Sequence, residues 1–175
     1  MCVILYKPKF AAIPRSVMTK CFSANQDGVG VVVKTFGGEL VSDKGFMSLG
    51  GLYGYLSEFN ASDEILIHFR FRSKGNVSVD NCHPFPLAGG YLMHNGTIPS
   101  LGNEVESDTE NLAYLLNPHN PRDIDYFLKH YAALGNKFVW ATPEGFNFYG
   151  QWFEKDGLKF SNLNWDVSNW GAVVP

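Results

Sequence analysis

Apolar and polar positions along this chain follow two different periods. Residues 2–6, 28–36, 65–73, 90–94, 137–142 and 146–153 are rich in Val, Ile, Phe and Tyr, are bounded or broken by Gly, Pro or Asn, and read as strands. Three other segments read as helices. Residues 49–59 do so despite three glycines. Residues 109–116 follow Ser107-Asp108-Thr109-Glu110, a capping-box pattern in which the serine caps the helix start and the glutamate reaches back. Residues 121–134 make the clearest case, with Pro121 in the first turn and Ile124, Phe127, Leu128, Tyr131 and Leu134 on one face. Strands outnumber helices and flank them in groups instead of alternating strictly, which predicts an α+β fold with mainly antiparallel sheets. With no internal repeat, low-complexity tract or linker, a single domain over residues 1–175 is expected.

Composition narrows the setting. A chain of 175 residues, 45% of them hydrophobic, suits one globular unit with a real core. Charged residues are 18% and the net charge is -3, with Lys and Arg scattered, so there is no basic field to attract nucleic acid. No apolar run is long enough to span a bilayer. Residues 1–20 fail as a signal peptide, because Lys7, Pro8, Lys9, Pro14 and Arg15 interrupt any hydrophobic segment. Cys2, Cys21 and Cys82 are an odd number without close pairing, which favours reduced thiols. Asn60, Asn76 and Asn95 each begin a glycosylation sequon, and without export these carry no meaning. The expectation is a soluble cytoplasmic domain that binds neither nucleic acid nor membrane.

Several polar residues have both a structural and a chemical reading. Removal of Met1 would leave Cys2 with a thiol and a free α-amine on one residue. The thiol attacks as thiolate, and an α-amine of reference pKa roughly 7.7–8.0 can take its proton near neutrality. Many chains nevertheless carry Cys at this position for no catalytic reason. In His68-Phe69-Arg70-Phe71-Arg72-Ser73, the strand period puts His68, Arg70 and Arg72 on one face. That is either a half-buried strand with a solvated basic face or a guanidinium fixed to grip a carboxylate in a bidentate pair. His94-Asn95-Gly96-Thr97 is either a two-residue hairpin turn or an oxyanion site made by the Asn95 amide and the Gly96 N–H. Asp108 is either part of a helix start or a partner for a substrate ammonium. Cys82-His83 has no second Cys/His pair at finger spacing, so no metal or cofactor is expected.

Taken in order, Met1-Cys2, Ala24-Asn25-Gln26-Asp27-Gly28-Val29-Gly30, His68-Phe69-Arg70, Asn81-Cys82-His83-Pro84-Phe85, His94-Asn95-Gly96, Ser107-Asp108-Thr109-Glu110 and Phe160-Ser161-Asn162 resemble the class II glutamine amidotransferases. The short, stand-alone branch of that family of N-terminal-nucleophile hydrolases fits best. The resemblance covers most of the chain and implies a four-layer αββα sandwich of two mainly antiparallel sheets. It implies that Cys2 attacks the side-chain amide of glutamine, that Asn95 and Gly96 hold the oxyanion, and that Arg70 and Asp108 take the α-carboxylate and α-ammonium. Ser73 would contribute a hydroxyl and backbone contacts, and His83 a supporting role. Two positions depart from the pattern: Val3 stands where longer members have Gly, and Ser73-Lys74-Gly75 where many have Thr-His-Gly. The members that use the ammonia in place carry a second domain, so here the expected partner is a separate ammonia-using synthase. The rivals are an amidohydrolase for a γ-glutamyl peptide or related amide, and a non-catalytic glutamine-binding or interaction protein. Trp165 and Trp170 complete the core or dock a partner, the core being the expected use.

Overall fold

A computed structural model of the chain describes residues 1–73 and 75–166. Lys74 and Trp170 therefore lie outside the described residues. The elements run β1 (Val3–Lys7), α1 (Arg15–Ala24), β2 (Val29–Lys34), β3 (Leu40–Phe46), α2 (Leu49–Leu56), β4 (Glu64–Phe69), β5 (Phe85–Leu87), β6 (Gly90–Asn95), α3 (Asp108–Leu116), α4 (Pro121–Ala133), β7 (Lys137–Thr142), β8 (Gly145–Tyr149), β9 (Phe153–Lys155) and β10 (Leu158–Phe160). A six-stranded sheet has the order β3-β2-β4-β1-β10-β9, and a four-stranded sheet the order β5-β6-β7-β8. Every pairing in both sheets is antiparallel.

The two-residue period of the strands sorts the core into layers. Val3 and Leu5 of β1, Val31 and Val33 of β2, and Ile65 and Ile67 of β4 pack with Met18 and Cys21 of α1 and Leu52 of α2. The intervening Ile4, Val32 and Leu66 face the other way and meet Met93, Val139 and Ala141 of the second sheet. On that sheet's far side, Leu92, Phe138 and Trp140 pack with Leu112, Leu116, Ile124 and Leu128 of α3 and α4. The result is a mixed α/β fold with two antiparallel sheets and four helices in an αββα-type arrangement.

Local chemistry sets the helix starts. Ser107 Oγ accepts from Glu110 N at 3.1 Å at the head of α3, and Asn120 caps α4 ahead of Pro121. The expected strand at 146–153 is instead β8 and β9, parted at Gly150, whose φ of 86° favours glycine. The expected strand at 65–73 ends at Phe69, after which Arg70 N donates to Gly28 O and Asp27 N to Arg70 O. Trp165 is buried, with its ring 4.9 Å from that of Phe160, so it serves the core. No helix among the described residues is long and apolar enough to cross a membrane.

The layer between the sheets makes a stability prediction. Leu66 is fully buried there, so Leu66→Ala should lower the unfolding free energy by about 2–5 kcal/mol in a denaturant titration. A loss below about 1 kcal/mol would mean that the sheets do not pack through this layer.

Candidate functional site

Cys2 sits at the head of β1, which lies between β4 and β10 and pairs with both. A strand flanked on both sides cannot shift its register, so the backbone entering it is fixed. Asn162 Nδ2 donates to Cys2 O at 2.7 Å and holds the residue from the β10 side. The thiol lies against the Phe71 backbone, 3.2 Å from its carbonyl oxygen and 3.3 Å from its nitrogen. Burial raises the thiol's pKa above its ordinary value; the Phe71 N–H, the chain's terminal amine and the Arg70 guanidinium oppose that rise.

Asn95 ends β6 in the second sheet, yet it is tied to the same region. Its Nδ2 donates to Ser161 Oγ at 2.8 Å, and that oxygen also accepts from Ile4 N at 2.8 Å. Asn95 Oδ1 is buried without a hydrogen-bond partner among the described residues. Asn95-Gly96 is not a hairpin turn: β6 pairs with β5 and β7, and the chain leaves Gly96 toward α3. Gly96 has a φ of 157°, and a Cβ there would collide with the Asn136 amide and the His94 imidazole. Asn136 Oδ1 meanwhile accepts from Thr97 N at 3.0 Å, so this turn is clamped from outside the strand.

Arg70 and Asp108 are joined by a chain of hydrogen bonds across two loops. Arg70 Nη1 donates to Asn76 O at 2.9 Å. Asn81 Nδ2 binds Asn76 Oδ1 at 2.7 Å and Val105 O at 2.8 Å, while its Oδ1 accepts from Ser107 N at 2.8 Å. Asp108 follows Ser107, and its Oδ2 accepts from Ile98 N at 2.6 Å. Both Arg70 and Asp108 are buried, so neither belongs to a solvated face; of the three basic residues on that face, only Arg72 is exposed. Ser73 is exposed and lines a separate cleft of about 530 Å³ with Arg72, Gly75, Asn103 and Glu104.

Three buried histidines run behind these groups. His68 Nε2 lies 3.0 Å from His94 O, which only accepts, so that nitrogen carries the proton and the bond ties β4 to β6 across the sheets. His83 stacks on His68 with ring centroids 3.8 Å apart, and neither of its ring nitrogens has a hydrogen-bond partner among the described residues. His94 lies 2.9 Å from both Thr109 Oγ1 and Asn136 Oδ1. Burial lowers all three pKa values, His68 to about 3. Among the described residues, no group of three His, Cys, Asp or Glu side chains is placed to hold a metal ion.

The structure thus brings Cys2, Arg70 and Asn95 toward one end of the facing sheets and links Asp108 to Arg70 through loop contacts. It leaves Ser73 exposed in a separate cleft and His83 stacked on His68. Ser161, Asn81 and Phe71 stand within the quoted motifs but have no role assigned there, and Asn136, a small polar residue before an apolar run, is not singled out at all. No family model matches the chain, and no curated protein matches it.

The histidines make a pH prediction. Each is held neutral in the fold, whereas its unfolded pKa is near 6.5, so below that pH the unfolded chain binds more protons. Their contribution to stability should be complete above about pH 6.5 and be lost as pH falls, over a window that reaches down to about 3 for His68, with at most about 1.4 kcal/mol per pH unit from one histidine. Arg70 and Lys44 face His83 and oppose its protonation, while Asp108 favours that of His94. His83→Phe keeps the ring stack and removes two unpartnered nitrogens. Its melting temperature between pH 5 and 7 should therefore depend less steeply on pH than that of the wild type. An identical slope would show that His83 is not buried as a neutral ring.

Proposed function

We propose that this chain is an N-terminal cysteine amidohydrolase of the class II glutamine amidotransferase type, with the N-terminal-nucleophile form of the αββα fold. It releases ammonia from the side chain of glutamine for a separate acceptor enzyme. The observation that carries this reading is the Ser161 bridge, which brings Asn95 from one sheet to the strand headed by Cys2 in the other. We place the reaction in the cytoplasm, where three unpaired cysteines stay reduced.

Removal of Met1 frees the Cys2 α-amine, which takes the proton from the thiol. The thiolate attacks the γ-carbonyl, and the developing oxyanion is held by Asn95 and Gly96 N–H. For Asn95 to donate there, its amide turns by half a revolution. Ser161 then donates to Oδ1, and Nδ2 takes the place of an atom that now has no partner. Breaking the C–N bond releases ammonia with a proton from the Cys2 α-ammonium. Water then cleaves the γ-glutamyl thioester and restores the thiol. Arg70 binds the substrate α-carboxylate and Asp108 its α-ammonium, so a zwitterion meets one cation and one anion already linked by a bonded loop.

Two predictions test this. Intact mass of the protein from its host should show Met1 removed, and Cys2→Ala should abolish glutamate release while Cys21→Ala and Cys82→Ala retain most of it. A glutamine-like diazoketone should label Cys2; labelling at Cys82 would move the site. Asn95→Ala should lower kcat by roughly 10²–10³ with little change in glutamine affinity, because the lost donor acts where charge develops. Arg70→Lys should instead weaken binding, since an ammonium cannot reproduce the two-pronged contact. Wild-type turnover in a folded Asn95→Ala protein would remove the oxyanion role.

A further inference from the structure

Two residues that flank Cys2, Met1 and Phe71, line a cleft of about 620 Å³ whose walls also include Ser23, Ala24, Asn25 and Trp165. We infer that this cleft receives a leaving amine larger than ammonia, and that the site accepts, besides glutamine, a γ-glutamyl amide of an apolar, aromatic primary amine and turns it over with the higher kcat/KM. The inference rests on the amidohydrolase reading and specifies what lies beyond the scissile nitrogen.

Position is the first argument. Phe71, whose backbone brackets the Cys2 thiol, forms part of the wall, and so does Met1, which is joined to the Cys2 nitrogen. Loss of Met1 widens the cleft and leaves the Cys2 α-amine, the group that protonates the departing nitrogen, at its edge. Size is the second argument. Ammonia needs about the room of one water, roughly 30 Å³, and the cleft offers some twenty times that.

The wall chemistry selects among larger amines. Phe71 is 50% exposed, and with the exposed Ala24 it presents an apolar surface suited to another ring. Lys20, also on the wall, is paired with Asp166 at 2.9 Å, so it does not select for an anion. Asn25 shapes the wall without offering a contact: its Nδ2 donates to Cys21 O at 3.0 Å, and its Oδ1 is buried out of reach of the cleft's contents.

The step balances without a co-reactant. The Cys2 sulfur bonds to the γ-carbon, the C–N bond breaks, and the amine leaves with the proton first taken from the thiol. Water then releases glutamate and returns the thiol.

The test compares γ-glutamyl benzylamide with glutamine, using the full chain after Met1 removal has been verified by mass. The benzylamide should have a kcat/KM at least about tenfold above that of glutamine. Ser23→Trp and, separately, Ala24→Trp place a ring in the cleft from exposed positions, and each should cut the benzylamide-to-glutamine ratio of kcat/KM about tenfold. Equal or lower turnover of the benzylamide, or a ratio unmoved by both variants, overturns this inference while glutamine hydrolysis keeps the amidohydrolase reading intact. If neither compound is hydrolysed and the diazoketone leaves Cys2 unlabelled, both readings fall.

Discussion

One hydroxyl fixes the relation between the two sheets at the end where chemistry is proposed. Ser161 Oγ accepts from the backbone of β1 and from the side chain at the end of β6, while Ser161 N donates back to Ile4 O. The apolar layer of Ile4, Val32, Leu66, Met93, Val139 and Ala141 supplies most of the adhesion, but apolar contact has no direction and tolerates sliding. Directional bonds must set the register between the sheets. Ser161 does so through its bond to β1, and the His68 to His94 bond does so from the neighbouring β4, where His68 is the register partner of Ile4. These bonds place the head of β1 on one sheet and the end of β6 on the other at a set spacing.

Holding that register requires polar groups in the interior, and the histidines carry the cost. Replacing water around an imidazole by protein is tolerable when the ring is neutral and bonded, as with His94 between Thr109 and Asn136. His83 is a stacked ring whose two nitrogens have no partner among the described residues, and His68 Nδ1, Asn25 Oδ1, Asn95 Oδ1 and Tyr53 Oη are likewise buried without one. Such groups cost stability, and Asn95 Oδ1, beside Ser161, falls on a residue to which the proposed mechanism gives a ligand contact.

The strands buried on both faces were readable in the sequence because continuous runs such as Val29–Lys34 and Lys137–Thr142 leave few alternatives. The capping box at Ser107 was readable because its side-chain bond is local. What escaped is governed by tertiary context. Helix α1 buries only Met18 and Cys21, too sparse a stripe to signal a helix. Strand β3, Leu40–Phe46, is a half-exposed edge with Ser, Asp and Lys in its middle, so its sequence looks like a loop. Arg70 and Arg72 shared a face on the strand period, but β4 ends between Phe69 and Arg70, and the two arginines part into buried and exposed settings. Asn95-Gly96 carried a strong local hairpin signal that the strand order overrode, since the strand next to β6 on that side is β7, some forty residues later in the chain.

On the proposed mechanism, the residue before Cys2 matters more than its exposure implies. Met1 is 63% exposed and contributes little to the core, so its removal costs the fold almost nothing. Its chemical effect is large. While it is attached, the Cys2 nitrogen is an amide and cannot take a proton, and burial keeps the adjacent thiol protonated against the pull of Arg70 and the Phe71 N–H. Once it is gone, a basic amine stands beside the sulfur, and one side of the cleft opens at the same place. Base and leaving-group space would thus appear together, from the loss of a single side chain that the rest of the structure does not use. This coupling makes the processed and unprocessed chains chemically different proteins with one fold.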